Sequence, residues 1–305
     1  MSSSHLIQGP VIPLPTPFNA DESVDLNGLA QYVEFLSDGK IPAVMSTVGT
    51  SRYNLLSWDE MRDINLTVAS SVKPGTQSIV TSPTTGGLRH MIEFGKHAEE
   101  IGADYYLVYF PERHYGEENT YNYFKALCDE LSIRILIHEM PMRNGVGPGA
   151  VQYSLDLLGR LFMLDNIVGV KEEALDPDYS NQILDRYANQ ALMIGAGGGM
   201  SRYFKRDHSR GAQAFLGGLG NFVPDVELAF YAHMTEGRTK EAARIVNEVE
   251  AAYFEAVVPM GWHPTLKSAL HHMGLMQVHE RRPMVQLTEE DHGRVKAILQ
   301  QLGWL

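Results

Sequence analysis

Short apolar, β-branched runs alternate along the chain with longer stretches in which apolar residues recur at i, i+3 and i+4. The runs are "PVIPLPTPF" (10–18), "AVMSTVG" (43–49), "TQSIVTSP" (76–83), "YYLVYFPE" (105–112), "RILIHEMP" (134–141), "IVGVKEE" (167–173), "ALMIGAGG" (191–198) and "AQAFLGGLG" (212–220). Runs of this length, punctuated by glycine and proline, suit strands buried on both faces. The stretches between them, such as "DLNGLAQYVEFL" and "GGLRHMIEFGKHAEEIG", suit amphipathic helices. Ser57 and Thr84 or Thr85 are predicted helix starts. Eight strands separated by helices predict parallel pairing through right-handed crossovers. Units spaced roughly thirty residues apart predict an α/β fold of the (β/α)8 TIM barrel type, which typically takes ~250 residues. A doubly wound open sheet is the alternative, but no "GxGxxG" follows the first strand. From Pro224 the strand signals stop, and "TKEAARIVNEVEAAYFEAV", "HPTLKSALHHMG" and "TEEDHGRVKAILQQLG" read as helices. The predicted organisation is a barrel over 1–223 and a C-terminal helical extension over 224–305.

Composition narrows the class. A chain of 305 residues, 44% hydrophobic, supports one large core or two modest ones. A net charge of −12 without a basic stripe argues against a nucleic-acid partner. Cys128 is the only cysteine, so no intrachain disulfide forms, and its helical setting in "YFKALCDEL" predicts a buried structural thiol. "MSSSHLIQGP" lacks a charged segment followed by an apolar h-region, so no signal peptide is expected there, and no apolar run approaches the ~20 residues of a membrane helix. A soluble, cytoplasmic protein is expected, with no membrane partner. The scattered histidines, His271 and His272 included, lack the spacing of a metal site, and neither a metal nor a cofactor is expected.

In such a barrel, chemistry gathers at the carboxyl ends of the strands. Strand two ends in Ser46, Thr47 and Gly49; strand five in His138, Glu139 and the "MPMRNG" loop; strand six in Lys171. Strands seven and eight run into "GAGGG" (195–199) and "GGLGN" (217–221), where Gly195 and Gly217 are expected to admit a small ligand close to the backbone. A phosphate cradle is a weak reading of these glycines without a P-loop lysine. Alternation puts Gly169 and Lys171 on one face, and Glu172 on the other. If that face is the barrel interior, Lys171 points into the mouth. A desolvated lysine loses its proton readily and can attack a ketone to form a Schiff base. A rim lysine paired with Glu172, Glu173 or another carboxylate is the plainer alternative. Alternation also lets only one of His138 and Glu139 face inward, and either type is a credible proton-transfer group.

"PTPFNADESVDLNGLAQYVEFL", "STVGTS", "MPMRNG", "IVGVKEE" and "RRPMVQLTEED", in this order, resemble the dihydrodipicolinate synthase/N-acetylneuraminate lyase family over nearly the whole chain. The family comprises Schiff-base aldolases, synthases and dehydratases acting on pyruvate or larger 2-oxo acids. Its G-[IVF]-K-[ED] pattern is met by Gly169-Val170-Lys171-Glu172, which implies that Lys171 is the Schiff-base lysine. The pattern G-T-T-G-E is partly kept as Ser46-Thr47-Val48-Gly49-Thr50, so Thr47 and the backbone from Val48 are expected to hold the substrate carboxylate. Two departures stand out. The family's proton-relay tyrosine in a T-P-Y-Y-like turn is replaced by Phe110-Pro111-Glu112-Arg113-His114-Tyr115, leaving Tyr115, Glu112 or His114 to relay protons. The family's Y-N-x-P becomes His138-Glu139-Met140-Pro141. Arg143 matches an arginine that grips the carboxylate of the second substrate in dihydrodipicolinate synthases, which favours an acidic co-substrate.

The resemblance implies a homodimeric or homotetrameric lyase whose partners are a small 2-oxo acid and an aldehyde. The altered relay favours a divergent aldolase over dihydrodipicolinate synthase proper, and "GNFVPDVELAFY" is also similar to the deoxy-oxoglucarate dehydratase branch. A ligand-binding pseudoenzyme on the same barrel is the non-enzymatic alternative. A metal-dependent barrel hydrolase is disfavoured, because "PTPF" carries no H-x-H pair.

Overall fold

The computed structural model describes residues 7–112, 115–140, 142–143, 150–174 and 176–305, with backbone alone for 142–143 and 150–151. Each predicted run contains a strand: β1 (Gly9–Pro13), β2 (Ala43–Met45), β3 (Gln77–Thr81), β4 (Tyr105–Tyr109), β5 (Arg134–Glu139), β6 (Ile167–Glu172), β7 (Leu192–Gly195) and β8 (Ala214–Leu216). They pair in parallel and in chain order, and β8 closes on β1 to complete the barrel. A two-stranded antiparallel ribbon, Met142–Arg143 with Ala150–Val151, stands where the sequence reads as a loop after β5.

Alternation sorts the strand residues into two apolar layers. Val11, Met45, Ile79, Leu107, Leu136 and Ile194 fill the barrel interior. Ile12, Val44, Val80, Val108, Ile137 and Met193 face the surrounding helices. Between β5 and β6 the register shifts, so that Ile135 pairs with Ile167 but Leu136 pairs with Gly169. The extra residue, Val168, is a bulge, a device that re-aims the side chains beyond it. Its effect is to set Lys171 beside His138 on the inner face. Gly169 is needed there, because a Cβ would lie 2.3 Å from the carbonyl oxygen of Leu192.

Helix starts follow local chemistry. Ser57 accepts from the Glu60 amide while Glu60 reaches back, a capping box that opens helix Trp58–Ser71 as predicted. The start expected at Thr84 or Thr85 lies further on: the helix is Leu88–Glu100 and Gly87 occupies its cap. After β8 the described chain is helical or irregular, with helices Pro224–Thr235, Trp262–His272 and Glu289–Gln301. A longer helical run (Thr239–Arg244, Ile245–Glu250 and Ala251–Val257) has a π-helical middle. Such π segments often mark functional sites. Cys128 is half-buried, and burial pushes its thiol up to about 11, which keeps it protonated and unreactive. No described helix is long and apolar enough to cross a membrane. Among the described residues no cluster of three or more His, Cys, Asp or Glu side chains is placed to hold a metal.

Candidate active site

A cavity of about 640 Å³ opens at the carboxyl end of the barrel. Lys171, His138 and Glu173 bring charged and titratable groups to it from the ends of the barrel strands, and Lys205, Glu250, Glu255 and His263 line it as well. The turn Val48–Thr50 and Gly217–Gly218 border it from the barrel, and Phe254, Trp262 and His263 reach it from the C-terminal helices.

Lys171 is 2% exposed, and its Nζ lies 2.7 Å from His138 Nε2 and in contact with Glu173 Oε2. His138 Nε2 is 3.0 Å from the same Glu173 oxygen. Three groups thus share one short network. Burial lowers the pKa of Lys171, with Glu173 pulling it back up and Arg202 adding to the lowering. Burial and the Lys171 charge push His138 down to about 4, so the imidazole is neutral at neutral pH. Burial opposes the charge on Glu173, yet Lys171 and His138 overcome it and hold the carboxyl well below the usual carboxylate range. The arrangement offers a buried amine, a neutral imidazole to take its proton, and an anion to stabilise whichever neighbour becomes cationic.

Strand geometry decides between the two β5 candidates. His138 shares the inner face with Leu136, whereas Glu139 faces outward. Glu139 Oε2 accepts from the Tyr153 amide (3.0 Å) and the Tyr179 hydroxyl (2.9 Å), and burial raises its carboxyl to about 7. It ties β5 to the helical layer and does not line the cavity. Glu172 likewise points away, accepting from the Ala174 amide and Ser180 Oγ and pairing with Arg202.

The β2 loop departs from expectation in detail. Thr47 has a φ of +52°, strained for a β-branched residue and worth of order 1–3 kcal/mol. Its Oγ1 donates to Asn65 Oδ1 (3.1 Å) and the Thr81 carbonyl (3.3 Å), so the hydroxyl secures the loop and does not face the cavity. The bend delivers Val48, Gly49 and Thr50 to the cavity as the start of a 3₁₀ turn, Gly49–Ser51. A Cβ on Gly49 would meet nothing within 4 Å.

The other expected residues divide. Gly217 borders the cavity, and a Cβ there would fall 2.0 Å from Glu227 Oε2. Gly195 does not line it: a Cβ at that position would strike Asp207 Oδ2, in the outer layer where Asp207 binds Arg202. Gly197, Gly198 and Gly199 of the same loop line the cavity in its place. Tyr115 is 71% exposed and borders, with Glu112, a separate depression of about 340 Å³. His114 lies outside the described residues, as does the side chain of Arg143.

Three residues at the site escaped the sequence reading as functional groups. Glu173 shares the face of Lys171 by simple alternation, a signal that was present. Tyr109 ends β4 on its inner face, one residue before the turn where a tyrosine was sought. Its ring centroid is 4.9 Å from that of His138, and its buried hydroxyl has no partner among the described residues. His263 had no local signal, because only the packing of a distant helix brings it to the barrel mouth.

A closed parallel barrel with a buried amine, an imidazole and a carboxylate gathered at its carboxyl end defines a TIM-barrel enzyme. The chain belongs to the dihydrodipicolinate synthetase family, whose model matches residues 7–302. Membership makes it an enzyme of the lyase and synthase class. It is 27% identical over 309 residues to a 4-hydroxy-tetrahydrodipicolinate synthase of Methanococcoides burtonii, covering 98% of this chain and 100% of the relative. A synthase of the same name from Chlorobaculum parvum is 26% identical, with 99% of each chain covered. Among solved structures, N-acetylneuraminate lyase from Fusobacterium nucleatum superposes with a TM-score of 0.86 at 19% identity, covering 97% of this chain and 99% of that one. Dihydrodipicolinate synthase from Aquifex aeolicus gives 0.84 at 22% identity, covering 97% and 98%.

Proposed function

We propose that the protein is a Schiff-base lyase that makes or breaks a carbon–carbon bond next to the ketone of pyruvate or a larger 2-oxo acid, with Lys171 as the nucleophile. The observation that carries this reading is the buried Lys171 amine, 2.7 Å from a neutral imidazole on the inner surface of the cavity. His138 takes the ammonium proton, Lys171 attacks the substrate's C2, and the carbinolamine oxygen leaves as water with protons returned through His138. Glu173 stabilises the imidazolium while it exists. The resulting iminium is the electron sink: bonding electrons at C3 flow towards nitrogen as an enamine forms, and return when a new bond is made. The carboxylate of the 2-oxo acid fits the amides of Gly49 and Thr50, since amides in a helical first turn have no intrahelical acceptor. This gives the β2 loop the carboxylate-binding role expected of Thr47 and Val48, through backbone and not through the Thr47 hydroxyl. Glu139 and Gly195 become supports of the site, and Tyr109 replaces Tyr115 as the tyrosine nearest the relay.

The reading extends to cytoplasmic residence and to a homodimer or homotetramer, as the family resemblance implies; sedimentation of the purified protein tests the latter. The chemistry is tested by borohydride reduction with pyruvate, followed by mass measurement of the labelled peptide. The expected result is a reduced pyruvate adduct on Lys171, absent from the folded Lys171→Ala variant. A folded wild-type protein that gives no adduct refutes the proposal.

A further inference from the structure

The cavity has an imidazole that the imine chemistry at Lys171 leaves unused. His263 stands in the first turn of helix Trp262–His272 and borders the same cavity as Lys171. The residue is half-buried and its ring makes no hydrogen bond with any described residue, yet neither ring nitrogen is sealed within the protein. A half-buried histidine with its nitrogens free at the wall of a reaction cavity is therefore placed for a ligand.

Its surroundings keep the ring neutral. Burial and the charge of Arg52 push His263 down to about 4 against the opposing pull of Glu173, so the imidazole rests neutral with a lone pair available. Arg52 itself is committed elsewhere, donating to Glu280 at 2.8 Å. Beside His263, Trp262 packs at a tilt against Phe254 with ring centroids 5.2 Å apart, and both rings press on the β8 loop, where a Cβ on Gly218 would touch them. The C-terminal helices thus supply an aromatic wall with one free imidazole set in it.

Aldol chemistry requires two proton transfers at different places. One accompanies imine formation at C2, where His138 and Glu173 already surround the amine. The other concerns the oxygen on C4, which is a hydroxyl in the aldol and a carbonyl in the released aldehyde. We infer that His263 is the catalytic residue that exchanges the C4-oxygen proton, and that the C-terminal helices form the subsite for the aldehyde half of a 4-hydroxy-2-oxo acid. In cleavage, His263 accepts the hydroxyl proton, the C3–C4 bond breaks, its electrons pass to the iminium to give the enamine, and C4 leaves as the aldehyde carbonyl. In condensation the enamine carbon attacks the aldehyde and the imidazolium returns the proton to the new hydroxyl.

This inference rests on the imine reading, and the test separates the two. Wild type, His263→Ala and His263→Gln are compared in borohydride trapping of pyruvate, in exchange of pyruvate methyl protons for deuterium, and in cleavage of 4-hydroxy-2-oxoglutarate and 4-hydroxy-2-oxo-4-phenylbutanoate. Both variants should trap and exchange within about threefold of wild type, which also certifies their fold, while cleavage falls about 100-fold or more. Glutamine can hydrogen-bond but cannot carry the proton, so His263→Gln should not rescue. Cleavage preserved in either variant, or exchange lost in step with cleavage, overturns the inference while leaving the imine intact. So does a wild type that exchanges pyruvate protons but cleaves neither acid. A wild type that forms no imine overturns both readings.

Discussion

Replacing Glu173 with glutamine removes the anion in contact with both Lys171 and His138 while keeping the shape of the side chain. Across the 3.0 Å separating Glu173 Oε2 from His138 Nε2, a unit charge pair in an effective dielectric of 20 is worth roughly 5 kcal/mol. That is a ceiling, because the Glu173 side chain is 32% exposed and water screens it. A realistic effect on a neighbouring cation is roughly 1–3 pH units. The sign is clear: Glu173 raises the pKa of Lys171 against burial, so Glu173→Gln lets the amine lose its proton at lower pH. The assay is the rate of pyruvate imine formation, trapped by borohydride, as a function of pH. Its acid limb should move down by roughly 1–3 units, while turnover falls because the imidazolium loses its counter-ion. Stability supplies a second readout. The native lysine of the variant binds fewer protons than the unfolded one over a wider range below the ordinary 10.5, so the variant's deficit should grow as pH falls. An acid limb that stays in place or moves up would show that Glu173 is not the ionised partner of Lys171.

Two further substitutions test the surroundings. Glu280 is buried between Arg52 (2.8 Å) and Lys267 (3.6 Å), and Glu280→Gln leaves both cations without that carboxylate, at a cost of about 3–5 kcal/mol in urea unfolding; a change within 1 kcal/mol of zero would mean the cluster is hydrated. Glu250 lies beside the cavity with its Oε2 unpartnered, and burial raises its carboxyl from 4.5 to about 8. The native state therefore keeps a proton that the unfolded chain releases, and wild-type stability is lost as pH rises through that interval. Glu250→Gln has no such proton, so its advantage in melting should widen between pH 4.5 and 8 to at most roughly 4–5 kcal/mol and then level off. A difference that does not vary with pH would refute the assignment.

How far the site was legible depends on where each signal lies. Lys171 and Gly169 could be placed on one shared face from their spacing, because strand side chains alternate whatever the rest of the molecule does, but that this face is the barrel interior was left as a condition. The same rule reduced His138 and Glu139 to one inward residue but left open which, since the answer depends on the register of β5 against its neighbours. Tyr115 was a reasonable stand-in for a missing tyrosine when proximity along the chain was the guide; in space it faces a different depression, and Tyr109 stands next to His138. Thr47 was matched by its pattern, but its left-handed backbone turns the hydroxyl into the protein and leaves Val48, Gly49 and Thr50 to line the cavity.

By itself the sequence determined the alternation of strands and helices, the closure into a barrel that such alternation favours, and the delivery of a lysine to the carboxyl end of β6. These follow from the period of two along strands, from apolar runs that must be buried on both faces, and from the short reach of βα connections. Tertiary structure decided the rest. The bulge at Val168 set Lys171 against His138, neutralising the imidazole by burial; the outward face of β5 turned Glu139 into a support; and the folding back of the C-terminal helices put His263 and Trp262 over the barrel mouth. Each of these depends on contacts between residues far apart in the chain, whose energies no local pattern records.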